Sequence, residues 1–169
     1  AATARGLGCE VTVLEAGPRL AGRVLPAVIS EALLSVHRQQ GVDVRLNVAL
    51  ESIQADGVLL VDGQRLPCDL VVVGIGMQPN IELAAAAGLD VGQGIRVDEF
   101  LRTSAANIYA AGDVCEFCRD GLYQRQETWR NAEAQGRHAA LNLLGRELPF
   151  EALPGFWSDQ YDWGVQTVG

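Results

Sequence analysis

The chain has no lysine: all thirteen of its basic residues are arginine. Twenty-one acids outweigh them and leave a formal charge of −8. That excludes the broad basic face a nucleic-acid binder needs. Aromatic residues are absent from positions 1–99 and then occur ten times from Phe100 onward, so two structural units share the chain. No apolar run is long enough to span a membrane. "LVVVGIG" is too short, and "AAAAGL" is small and broken by glycine. No secretion signal is expected at the start, because Arg5 and two glycines interrupt the apolar residues. Cysteine is scarce, at Cys9, Cys68, Cys115 and Cys118. In an unsecreted chain a disulfide framework is not expected. The expected compartment is the cytoplasm, and the Ala-, Gly- and Arg-rich composition points to a bacterium with a GC-rich genome.

What is present is enough apolar residue to bury a core: 49% hydrophobic against 20% charged. Ala1 to Leu7 reads as a helix closed by Gly8. "CEVTVLEA" reads as a short apolar strand. Val28, Ile29, Ala32, Leu33 and Val36 form a helical stripe over Pro26–Gln40, and Gly41 ends it. "VDVRLN" alternates as a strand does. Residues 50–66 hold Asp56-Gly57 and Asp62-Gly63, two turn signals of an antiparallel meander. "DLVVVGIG" is a continuous apolar run, as a strand covered on both faces would be. "NIELAAAAG" predicts a short helix capped by Asn80 and stopped by Gly88. "NIYAAGD" predicts a second buried strand, Glu127 to Leu144 a helix, and "WGVQTVG" the start of a last strand. This alternation defines an α/β protein with a partial Rossmann-like parallel sheet and a small antiparallel meander.

Three strand ends carry candidate ligand chemistry, because ligands of open α/β sheets lie at the carboxyl ends of strands. Glu15 ends "VTVLE", where an acid can accept hydrogen bonds from both ribose hydroxyls of NAD and repel a 2′-phosphate. Gly74 and Gly76 follow "LVVV", and a glycine lets backbone approach a ligand without a Cβ in the way. Gly112 and Asp113 follow "IYAA". There a carboxylate can accept from a sugar-like hydroxyl, and the N–H groups from Val114 onward could face a phosphate.

Taken in order, "VTVLEAGPRL", "GVDVRLN", "DLVVVGIGMQPN", "GIRVDEFLRTSAANIYAAGDV" and "QETWRNAEAQGRHAALNLLG" resemble the pyridine nucleotide-disulfide oxidoreductase superfamily. "FWSDQ" in the tail is similar to its ferredoxin-reductase branch, the putidaredoxin and rhodocoxin reductases. The resemblance implies an FAD-dependent NADH:ferredoxin oxidoreductase. Its FAD takes hydride from NADH and releases electrons to a 2Fe–2S ferredoxin of an oxygenase or P450 system. It implies an NAD-binding part over 1–79, the C-terminal part of an FAD-binding domain over 80–148, and the start of an α+β C-terminal domain over 149–169.

By the same resemblance Glu15 and Arg23 hold the NAD ribose, and Val73, Gly74 and Gly76 line the nicotinamide crevice. Gly112, Asp113 and Val114 meet FAD, and Trp129 and Trp157 lie near its ring system. No side-chain acid or base is required, so no catalytic residue is expected, and no metal. Neither of the family's G-x-G-x-x-G turns occurs in these residues. The resemblance therefore implies that the FAD pyrophosphate site and the first NAD strand lie upstream of Ala1. Two rival expectations remain. One is a thiol or disulfide reductase using Cys115-x-x-Cys118. The other is a non-catalytic nucleotide-binding remnant. A zinc site would need about four ligands, and His37 and His138 are too scattered to complete one.

Overall fold

The computed structural model describes residues 1–169 except Asp120, Ala152, Pro154 and Gly169. It divides into two compact units, Ala1–Ile75 with Trp157–Val165, and Gly76–Phe156 with Gln166–Gly169.

The first unit begins with α1 (Ala2–Gly6), β1 (Thr12–Glu15), α2 (Ala27–Gln39) and β2 (Asp43–Leu46). β1 and β2 pair in parallel, Glu15 opposite Leu46. This is the right arrangement for strands joined through a helix. Ser30, Leu33, Val36 and His37 are the buried residues of α2, so Leu33 and Val36 of the apolar stripe face inward while Val28 is exposed. Arg5 ties the helix ends together. Its Nε donates to the Gln40 carbonyl at 2.9 Å and its Nη1 to the Cys9 carbonyl at 2.8 Å. The expected meander follows as β3 (Leu50–Gln54), β4 (Gly57–Leu60) and β5 (Arg65–Pro67), all antiparallel. Gly57 has φ +151°, and a Cβ there would collide with the Leu66 carbonyl. Only glycine fits that crossing of two strands.

"DLVVVGIG" departs from expectation. Among the described residues it pairs with no strand, and Leu70, Val72 and Ile75 are exposed, Ile75 at 87%. Parallel strands that are apolar throughout need covered faces and paired edges. The only parallel pairing in this unit is β1 with β2.

The second unit holds α3 (Glu82–Ala86), β6 (Ile95–Val97), β7 (Cys115–Arg119), β8 (Leu122–Gln124) and α4 (Trp129–Leu143). α3 starts after Ile81 with no side-chain cap, so Asn80 does not cap it. Order in the small sheet is β6-β7-β8, parallel then antiparallel. Its core is Val97, Leu101, Ala110, Cys115, Phe117 and Ala139. "NIYAAGD" is not a full strand. It makes one bridge, Tyr109 to Arg102, while Ala110 packs in the core. α4 is capped by Thr128, whose hydroxyl accepts from the Asn131 amide at 3.3 Å. The tail forms a hairpin, β9 (Gly155–Gln160) and β10 (Trp163–Val168).

Candidate nucleotide-binding site

Glu15 stands at the carboxyl end of β1. Its Oε1 accepts from the Gly17 amide at 2.8 Å, which fixes the carboxylate. A Cβ at Gly17 would lie 3.2 Å from that oxygen, so the glycine permits the approach. The loop is pinned from β2's side as well: the Val48 amide donates to the Glu15 carbonyl at 3.1 Å, and the Asn47 amide to the Gly17 carbonyl at 3.0 Å. Arg19 is committed to the loop itself, donating to the carbonyls of Leu25 and Gly22. Arg23 is exposed. It is the guanidinium of this loop that faces solvent.

Val73 and Gly74 lie in the unpaired extended run, Val73 exposed and Gly74 with open space where a Cβ would be. Gly76 has φ +103°, a value that favours glycine.

The second group is built around Gly112 and Asp113. Gly112 has φ +81°, and its amide donates to Gln135 Oε1 at 2.7 Å. Gln135 is fully buried on α4. The Cys115 amide closes the turn on the Gly112 carbonyl at 2.9 Å. Arg125 grips the Asp113 carbonyl through Nε at 3.2 Å and Nη2 at 3.1 Å, and its Nη2 also meets Glu127 Oε1 at 2.8 Å. The Asp113 backbone is thus held from α4's entry segment. Its side chain is not: Oδ1 is buried and accepts no hydrogen bond. A buried acceptor without a donor is costly, and a bound hydroxyl would supply the donor. The residues present therefore fit a polyol-bearing ligand such as the ribityl chain of FAD. Val114 is half-buried, its carbonyl taken by the Ile95 amide at 2.8 Å. Trp129 opens α4 and is 69% exposed, and Trp157 on β9 is 37% exposed.

The cysteine spacing resolves by strand geometry. Three residues apart on β7, Cys115 and Cys118 point to opposite faces of the sheet. Cys115 is 1% exposed inside the core, and Cys118 lines a surface cavity of about 560 Å³ with Arg96 and Tyr123. Both thiols are free. Burial, and secondarily the Glu116 carboxylate, push the Cys115 thiol up to about 12, far from a reactive thiolate. Among the described residues no group of three His, Cys, Asp or Glu side chains could hold a metal ion. No helix among them is long and apolar enough to cross a membrane.

Sequence reasoning missed Gln135 and Arg125. A signal for Gln135 exists: Asn131, Gln135 and Asn142 recur at helical spacing on the buried face of α4, where apolar residues are the rule.

A parallel β-α-β start, an acid at the end of its first strand, and a glycine turn whose Asp113 Oδ1 is buried without a donor are features of a dinucleotide-binding α/β fold. Residues 1–136 match the model of the pyridine nucleotide-disulphide oxidoreductase family, and the chain belongs to that family. It is 44% identical, over its whole length, to the ferredoxin–NAD(+) reductase component of an anthranilate 1,2-dioxygenase system from Burkholderia cepacia, of which it covers 43%. Among solved structures it is similar to the ferredoxin reductase for the CYP199A2 system of Rhodopseudomonas palustris. That match has a TM-score of 0.94 and 44% identity, and it covers 99% of this chain and 43% of the other. It is also similar to the reductase in a covalent putidaredoxin reductase–putidaredoxin complex. There the TM-score is 0.92 and the identity 40%, covering 99% of this chain and 42% of the other. The chain thus spans under half the length of the relatives it matches.

Proposed function

We propose that these residues belong to a cytoplasmic FAD-dependent NADH:ferredoxin oxidoreductase that delivers electrons to a 2Fe–2S ferredoxin of an oxygenase or P450 system. Residues 1–79 hold NADH, 80–148 contact FAD, and 149–169 open a C-terminal reductase domain. The observation that carries the reading is Asp113 Oδ1, buried and without a donor, on a turn held by Gln135 and Arg125. The relatives, named as the ferredoxin–NAD(+) reductase component of a dioxygenase system and the ferredoxin reductase for the CYP199A2 system, support the electron acceptor.

In this reading FAD supplies the conversion of a two-electron donation into single-electron steps. The chain's own residues bind and orient. Asp113 accepts a ribityl hydroxyl, and Gly112 and Val114 let backbone come close. Glu15 accepts the ribose hydroxyls of NADH, with Arg23 on the same loop, and Val73, Gly74 and Gly76 line the nicotinamide crevice. By the resemblance, Trp129 and Trp157 would each shield bound flavin from water, as aromatic side chains do.

A chimera tests this. Residues 1–169 replace the corresponding 43% of the anthranilate dioxygenase reductase component. Flavin bands that bleach with NADH and reduce the ferredoxin are the expected result, with Asp113→Ala losing the flavin. A folded chimera that retains no flavin would overturn the proposal.

A further inference from the structure

The hairpin turn between β9 and β10 has only two residues, Tyr161 and Asp162. Such turns favour Gly, Asn or Asp where φ is positive. Here the position with φ +56° is occupied by Tyr161, a choice that strains the backbone. Its ring explains the choice. The Tyr161 hydroxyl shares a hydrogen bond with His37 Nδ1 at 2.9 Å, and the two rings meet edge to face, 5.4 Å between centroids. His37 is buried on α2, and the two residues lie in the same compact unit. The bond joins the tip of the hairpin to a helix 124 positions earlier in the chain.

We infer that the His37–Tyr161 contact is a positioning latch that pins the tip of the β9–β10 hairpin, and with it Trp157, onto α2, and that acid weakens it. The functional weight of Trp157 rests on the proposed flavin role; the latch itself does not. The charged groups around the pair explain the acid sensitivity. From α1 comes Arg5, whose positive charge acts on Tyr161. On α2, Arg38 is turned toward the Val44 carbonyl at 3.4 Å. Asp162, next in the turn, is exposed. A protonated imidazole in this place is buried and stands beside a partner on which the Arg5 charge acts. Burial holds the His37 pKa below its ordinary 6.5. The latch is thus intact above pH 6.5 and weakens as pH falls through the lowered value.

The test uses the ¹⁵N-labelled chain without flavin, so its outcome is separate from that of the flavin assignment. Indole N–H resonances of Trp157 and Trp163 report the hairpin, and that of Trp129 on α4 serves as the internal control. The expected result is that, from about pH 8 to about pH 5, the two hairpin indoles move in step with the His37 imidazole while Trp129 does not. Tyr161→Phe keeps the ring contact but removes the hydroxyl, and it uncouples the hairpin indoles from His37 while far-UV circular dichroism is unchanged. Hairpin indoles that ignore the His37 titration overturn the inference. So do indoles that follow it equally in Tyr161→Phe.

Discussion

The Gln135 side-chain oxygen accepts the Gly112 amide at 2.7 Å across twenty-three positions of chain. That bond fixes the turn from which Asp113 projects, and it is buried at both ends. Replacing Gln135 with Leu leaves the Gly112 amide buried and unpaired, which costs about 1–3 kcal/mol. Gln135→Glu keeps an acceptor oxygen at the same reach when its buried carboxyl is protonated, so the comparison is made at about pH 4. Urea unfolding of the isolated chain should therefore rank wild type first, Glu second and Leu last. A Leu variant as stable as wild type would show that something other than this bond holds the turn.

In the proposed reading Glu15 carries the nicotinamide preference. Its carboxylate is aimed by the Gly17 amide, and a 2′-phosphate in the same place would meet like charge. In the chimera, Glu15→Ala should raise the NADPH/NADH ratio of kcat/KM by roughly tenfold, equivalent to about 1.4 kcal/mol. Steady-state kinetics with both nucleotides read it directly. An unchanged ratio would remove Glu15 from the site and pass the selection to other residues.

The thiols separate the electron-transfer reading from a disulfide-exchange one. Cys9 and Cys68 are exposed, Cys118 half-buried and Cys115 sealed in the core. Titration with a thiol-specific chromophore should label Cys9 and Cys68 first and Cys118 more slowly, and leave Cys115 silent until the chain unfolds. Cys118→Ser in the chimera should leave the NADH-to-ferredoxin rate unchanged. Cys115 also gives the alkaline limb of stability a sign. Its thiol is held up to about 12 by burial first, above its unfolded value. The stabilisation is fully present below the ordinary thiol range and is lost as pH rises from there toward about 12.

How much of this was legible in the sequence follows from the range of each interaction. α2, the meander and α4 are encoded by periodicity and turn residues within a few positions, and each formed where the pattern put it. Glu15 was legible as a strand-end residue, whereas Gly112 and Asp113 follow a run that makes only one bridge rather than the expected strand. The buried strand expected over "DLVVVGIG" was not realised, because its apolarity reports a need for neighbours that the described residues do not provide. The Gln135–Gly112 and His37–Tyr161 bonds join residues 23 and 124 positions apart, and no local pattern encodes them. β7 was hidden by its own cysteines, whose spacing drew a reading in terms of redox or zinc chemistry. On a strand the same spacing sends the two side chains to opposite faces.

Leu101 sets two effects against each other. Its φ is +65°, a left-handed conformation that costs an L-residue about 1–2 kcal/mol. Its side chain is 0% exposed, in the core with Val97, Cys115 and Phe117, where truncation to Ala costs about 2–5 kcal/mol. Burial outweighs the strain, and the loop is built to hold the backbone in place. Asp98 Oδ1 accepts from the Phe100 amide at 2.8 Å and the Arg102 amide at 2.9 Å, and the Leu101 amide closes on the Asp98 carbonyl at 3.0 Å. Leu101→Ala therefore loses the packing and keeps the strain, whereas Leu101→Gly loses the packing and releases it. The expected order of stability in urea is Leu, then Gly, then Ala. That inverts the usual advantage of Ala over Gly, which comes from the greater freedom glycine has in the unfolded chain. Ala above Gly would mean that the backbone at 101 is not left-handed in solution, and the turn that carries Arg102 toward Tyr109 would have to be rebuilt.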